Sequence, residues 1–177
     1  MAAAGDIYER EMKALLAGDR KVISKMVKTC DSAEADAYNS MLSNPFLVIR
    51  AAGSLGVDLV ALRWDFSFPI EVKSSGDDVM HFSKNPRLME QAETMRDTCN
   101  SPHLIPIYAY RLKSVRGDPW RIFTIPSDYV LHGRSELLRK RIPKFEVTDN
   151  GNFVMRWKDG MKLSDFISYM GMSIFEE

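Results

Sequence analysis

Apolar side chains recur every three or four residues at the start of the chain, then give way to short runs of Val, Ile, Leu and Phe, so the pattern predicts helices followed by strands. Ile7, Tyr8, Met12, Leu15 and Leu16 mark one helix over 6–17, with Asp6 as its N-cap. Val22, Ile23, Met26 and Val27, then Ala35, Tyr38, Met41 and Leu42, predict two more helices, interrupted near "TCDS" and ended by "SNP". "FLVIR", "VDLVALR" and "FPIEVKS" then read as three consecutive strands forming the centre of a sheet. Asn85 and Pro86 open a helix with the stripe Leu88, Ala92 and Met95. "LIPIYAYRL" and "WRIFTIP" follow as two strands joined by the turn "SVRGDP".

Beyond Pro126 the pattern predicts a basic helical piece, "SELLRKR", a hairpin turning at Asn-Gly within "KFEVTDNGNFVMRW", and a last helix near "KLSDFISYM". The expected fold class is α/β: a mixed central β-sheet flanked by helices. A core over 1–126 carries a helical insertion at about 19–43, and a hairpin-helix extension over 127–177 packs on the same domain.

Composition changes this picture little. With 177 residues, 45% of them hydrophobic, the chain can bury a core. No run approaches the ~18–20 apolar residues that span a bilayer, and the first residues lack a secretory pattern, so an intracellular protein without a membrane partner is expected. Cys30 and Cys99 lie far apart outside any metal-ligand spacing and read as buried thiols. The formal net charge is zero, which argues against a protein coated in cations. Over 101–144, however, nine Lys/Arg face three Asp/Glu, which fits either a phosphate-facing surface or ordinary solvated loops.

The chemistry concentrates in "FPIEVKSS". Side chains alternate along a strand, so Glu71 and Lys73 share one face while Phe68, Ile70 and Val72 take the other. Asp58, set among Val57, Leu59 and Val60 on the preceding strand, can lie beside Glu71. An acid in an apolar strand needs pairing, hydrogen bonds or a metal, and two adjacent acids repel until a divalent cation relieves them. Hard oxygen ligands suit Mg²⁺, or Mn²⁺ as a substitute, with substrate phosphate completing the shell. In such a site Lys73 would position the attacking water or stabilise a nonbridging oxygen. A bare Glu-x-Lys also describes an ion pair on an edge strand; it is Asp58, thirteen residues upstream of Glu71, that favours a site. Ser74 and Lys84, around the loop after this strand, could contact phosphates, although a flexible surface loop describes that segment as well.

This arrangement resembles the PD-(D/E)XK nuclease superfamily, and its surroundings resemble the archaeal-type Holliday junction resolvase family within it. The resemblance rests on "YERE" (Tyr8 to Glu11), "IRAAGS" (Ile49 to Ser54), "VDLVAL" and "IEVKSS", with Gln91 on the following helix and "YAYRL" and "PWRIFTIP" beyond it. It covers roughly 6–17 and 46–126. It implies a restriction-endonuclease-like core, Glu9, Asp58 and Glu71 as metal ligands, and Lys73 as the catalytic lysine. By the same resemblance Arg50 and Ser54 approach the active site and DNA backbone, and Gln91 contacts DNA. For these positions the residues themselves also allow a Glu9–Lys13 pair on a solvated helix, a sheet-end arginine, a turn serine and a polar helix residue. Val57 stands where the family has proline, and Glu9 and Asp58 are 49 residues apart because of the 19–43 segment.

The implied activity is metal-dependent, structure-selective DNA cleavage by phosphodiester hydrolysis at four-way junctions. Two opposed strand cuts favour a two-fold homodimer on branched DNA. Another nuclease of the superfamily, acting on flaps, mismatches or foreign duplex, and a noncatalytic DNA-binding module on this fold remain the alternatives.

Overall fold

The computed structural model describes residues 4–51 and 56–172. Helix α1 (Ala4–Leu16) buries Met12, Leu15 and Leu16 along one stripe. Asp6 lies in its first turn instead of capping it, because the carboxylate is taken by Arg10 and Arg50. Asp19 caps α2 (Arg20–Met26) by accepting from the N–H groups of Lys21 and Val22. After one 3₁₀ turn, Asp31 and Glu34 form a reciprocal capping box at the start of α3 (Ser32–Ser40).

Strands β1 (Leu47–Arg50), β2 (Leu59–Leu62) and β3 (Ser67–Ser75) form an antiparallel meander. They make one half of the main sheet, not its centre as the strand order suggested. The segment after β3, which also read as a flexible loop, instead contains β4 (Val79–His81) and a 3₁₀ turn that seats Phe82 fully buried against Tyr108, Phe145 and Phe153. Its pairing partner lies more than seventy residues ahead, beyond any local pattern.

Helix α4 (Pro86–Asn100), capped by Asn85 with proline at its first position, is the crossover that lets β5 (Ile107–Leu112) run parallel to β3. Strand β6 (Trp120–Thr124) returns antiparallel to β5. Then come α5 (Gly133–Arg141), β7 (Glu146–Val147), β8 (Phe153–Arg156), β9 (Met161–Lys162) and α6 (Leu163–Met172). The hairpin of β7 and β8 turns over 149–151, where Gly151 takes φ +76° and Thr148 and Asn152 close the loop. The main sheet runs β1-β2-β3-β5-β6-β9, and a second sheet runs β4-β8-β7.

Two apolar clusters cover the two faces of the main sheet. One packs Val48, Leu59, Ala61, Phe68 and Ile70 with α1, α3 and α6. The other packs Val60, Tyr108, Tyr110 and Phe123 with α4 and the small sheet. The 19–43 segment is part of the first cluster, and Tyr38 ties it down by donating to Asp118 Oδ1 at 2.8 Å. Asp118 also accepts from the backbone of Trp120 and Ser164, so one buried carboxylate joins α3, β6 and α6. Tyr38→Phe removes one hydrogen bond to a buried charged group and is expected to lower stability by about 1.5–3 kcal/mol, read as a lower urea midpoint at unchanged slope.

Candidate active site

Glu71 and Lys73 lie on the α4 face of β3, because odd positions of this strand point there. Lys73 Nζ sits 2.6 Å from Glu71 Oε1 and 2.9 Å from Gln91 Oε1, while Gln91 Nε2 donates to Glu71 Oε1 at 2.7 Å. Ion pair and amide thus form a closed triangle between β3 and α4. Asp58 stands at the bend just before β2, and extending the Leu59–Ile70 register sets it beside Glu71. Its Oδ2 accepts the Val72 N–H at 2.8 Å, which fixes the carboxylate against β3. Gly56, at φ +66°, starts this approach in a left-handed conformation that favours glycine.

Glu71 is only 2% exposed. Burial pushes its carboxyl up to about 7, with Lys73 opposing the shift and Asp58 adding to it. Asp58 is also raised, first by burial, against the pull of the Val72 N–H and Lys73. Asp58 is among the groups that raise Glu71, as expected of a neighbouring like charge. Lys73 meets one oxygen of Glu71, and the other, Oε2, is buried without a hydrogen-bond donor among the described residues. A proton or a cation at Oε2 would relieve both acids. The donor set fits a small hard cation, which binds through one or two carboxylates and takes its remaining ligands from water and phosphate.

Glu9 does not complete a three-acid set: among the described residues no group of three Asp, Glu, His or Cys side chains is placed to hold a metal ion. Glu9, expected as a third ligand, is held by a partner of its own. Arg50 Nη2 lies 2.6 Å from Glu9 Oε2 and also binds Asp6, on the α1 face. Glu9 nevertheless acts on Asp58 as a like charge, adding to its upward shift. Arg50, expected at the DNA backbone, is thereby committed to two acids of α1. Ser74 lies on the face of β3 opposite Glu71, in register with Arg111. Lys84 is exposed in the 3₁₀ turn before α4. Ser54 falls outside the described residues. Gln91, read from the sequence as a DNA contact, is instead bonded to both Glu71 and Lys73.

Tyr108 is the neighbour that sequence reading missed. It pairs with Glu71 across the parallel β3–β5 ladder, is fully buried, and its hydroxyl has no hydrogen-bond partner among the described residues. Burial raises its pKa, helped by the negative charges of Glu71 and Asp58. The alternation in "IYAYRL" put Tyr108 on one face of its strand, but only the ladder shows that face to be that of Glu71.

No family model matches this chain, and no curated protein matches it in sequence. Among solved structures, Hjc, a Holliday junction resolvase of the archaeal hyperthermophile Archaeoglobus fulgidus, superposes with a TM-score of 0.49 at 18% identity, covering 81% of this chain and 96% of that one. A likeness at this level says nothing about activity.

Two outcomes follow from the burial. Because the Glu71 pKa is higher in the folded than in the unfolded chain, the stability this gives is complete below the unfolded value and lost as pH rises through about 7. Wild type should therefore lose roughly 3 kcal/mol relative to Glu71→Gln between about pH 4.5 and pH 8, measured by urea unfolding at each pH without metal. Tyr108→Phe deletes an unsatisfied buried hydroxyl and should raise stability by about 1–2 kcal/mol in the same assay.

Proposed function

We propose that this protein is a metal-dependent endonuclease that hydrolyses phosphodiester bonds in branched DNA, acting on four-way junctions as a two-fold homodimer. The observation that supports the reading is that Asp58 stands opposite the buried Glu71 across the β2–β3 register, with an orphaned Glu71 oxygen and an ammonium paired to the same group. A structural ion pair accounts for Lys73 and Glu71 but gives no reason for Asp58, a second, half-buried acid, to be held beside them.

Asp58 and Glu71 would hold Mg²⁺ or Mn²⁺, which when bound would acidify water and offset charge on the phosphate. The protein's own share is positional. The Val72 N–H holds Asp58 against β3. Gln91 and Glu71 hold the Lys73 ammonium at the carboxyl pair, where it can orient water or stabilise a nonbridging phosphate oxygen as negative charge grows. Attack of that water on phosphorus, with departure of the 3′ oxygen, leaves 5′-phosphate and 3′-hydroxyl ends. The four-way-junction preference follows from the sequence resemblance and is the finer part of the proposal.

The test uses labelled four-way junction and linear duplex with wild type, Glu71→Ala and Asp58→Ala, each with Mg²⁺ and with EDTA. Wild type should nick the junction in Mg²⁺ only, and either substitution should reduce the rate by about 10²–10³-fold. Nicking of both substrates alike would remove the junction preference while keeping the nuclease. Junction binding without nicking under any metal would make the protein a binding module.

A further inference from the structure

Tyr38, Tyr110 and Tyr129, packed in the two apolar clusters, each donate the hydroxyl to an oxygen: the Asp118 carboxylate, the Asp77 carbonyl and the Leu104 carbonyl. Tyr108 does not. It is fully buried, and its hydroxyl has no partner among the described residues. Its ring is fixed by Phe82 and by an edge-on contact with Phe145, 4.8 Å between centroids, so phenylalanine would fill the same space. A buried hydroxyl left unpaired costs stability, and a bound water or ion is the usual reason a fold keeps one.

A second orphan stands beside it. Tyr108 and Glu71 are paired residues of the parallel β3–β5 ladder, so their side chains leave neighbouring strands about 5 Å apart on the same face. Glu71 gives Oε1 to Lys73 and to Gln91, while Oε2 is buried and unpartnered among the described residues. Both donors of the triangle are thus spent on one oxygen. The negative charges that reach the phenol are those of Glu71 and Asp58, and together with burial they keep its proton in place. A protonated phenol and an acceptor oxygen therefore occupy adjoining positions in the ladder without a direct bond.

We propose that Tyr108 is a positioning residue of the candidate active site, its hydroxyl bonded to a water in the shell of the cation that Glu71 Oε2 and Asp58 bind. This rests on the metal-dependent reading above and deepens it by giving the cation a partner beyond its ligands. One occupant then satisfies both orphans: Oε2 meets the cation, and the phenol, which donates as well as accepts, meets the water. The arrangement suits the fold. The ring is already held by Phe82 and Phe145, so the hydrogen bond forms without ordering a side chain. Tyr108 is too buried to touch a substrate, so its influence on the reaction passes through the cation's shell. The competing arrangement is a protonated Glu71 that donates to the phenol with no metal involved; there the hydroxyl would oppose metal binding, not support it.

Isothermal titration calorimetry of Mn²⁺ into the full chain, without DNA, separates these on wild type, Tyr108→Phe and Tyr110→Phe. Tyr108→Phe should bind Mn²⁺ about 10–100-fold more weakly than wild type, the usual cost of removing a group that orients a metal's shell, although it is the more stable protein in EDTA. Tyr110→Phe lies on the same strand and face but loses only a bond to the Asp77 carbonyl, so it should keep the wild-type affinity. Urea unfolding at one fixed Mn²⁺ concentration gives a second readout. A ligand stabilises the folded state more the tighter it binds, so the stability advantage of Tyr108→Phe over wild type should shrink when Mn²⁺ is added. Equal Mn²⁺ affinity in wild type and Tyr108→Phe overturns the proposal and leaves the metal reading standing. Tighter binding in Tyr108→Phe also overturns it and assigns the phenol to a protonated Glu71. So does an equal loss in Tyr110→Phe, which makes the effect one of packing along β5. A wild type that binds no Mn²⁺ overturns the metal-dependent reading itself, and the role of Tyr108 with it.

Discussion

A buried carboxylate must be compensated where it stands, and Glu71 imposes that condition on the strand joining the two halves of the main sheet. Solvent is excluded, so the ammonium of Lys73, the amide of Gln91 and the second acid at Asp58 act over short distances in a weakly screening medium. The backbone follows from this. The Asp58 backbone continues the β2 pairing to Ile70 and Ala51 while its side chain takes the Val72 N–H, Gly56 adopts a left-handed turn just before it, and α4 passes close enough for Gln91 to reach both charges.

The sheet has two unlike faces. On the α1 face three helices and the 19–43 segment build a continuous apolar core, pinned by the three-way acceptor Asp118. On the α4 face one helix and a three-stranded sheet cover the centre and the β6 side. On the α1 face Glu9 pairs with Arg50, while the Asp58 carboxylate is held by the Val72 N–H. Three of the cations of 101–144 are committed within the fold. Arg111 bonds Glu11, Arg121 stacks on Trp157, and Arg139 holds Glu136 and the Tyr129 carbonyl.

Much of the fold was legible because its cues are local. Helical spacing in α1, the Asn85-Pro86 start of α4, the Asn-Gly turn of the β7–β8 hairpin and the alternation in β3 each depend on neighbours a few residues apart. The second sheet was not legible. Val79 to His81 are too short to show a period, and they become a strand only because β8 supplies hydrogen bonds from far along the chain. Nor could the place of β1 be read, since three consecutive strands look the same at the edge of a sheet as at its centre.

The candidate site divides in the same way. By itself the amino-acid order determined that Glu71 and Lys73 share a face and that an acid thirteen residues earlier could stand beside them, because strand alternation and hairpin pairing are short-range constraints. Only the tertiary structure decided that Gln91 closes the triangle, that Tyr108 stands in register with Glu71, and that Arg50 draws Glu9 to the opposite face. Those outcomes depend on a parallel crossover and on which side of the sheet each helix packs. Such long-range choices are settled by the burial of the whole core, and no local pattern records them.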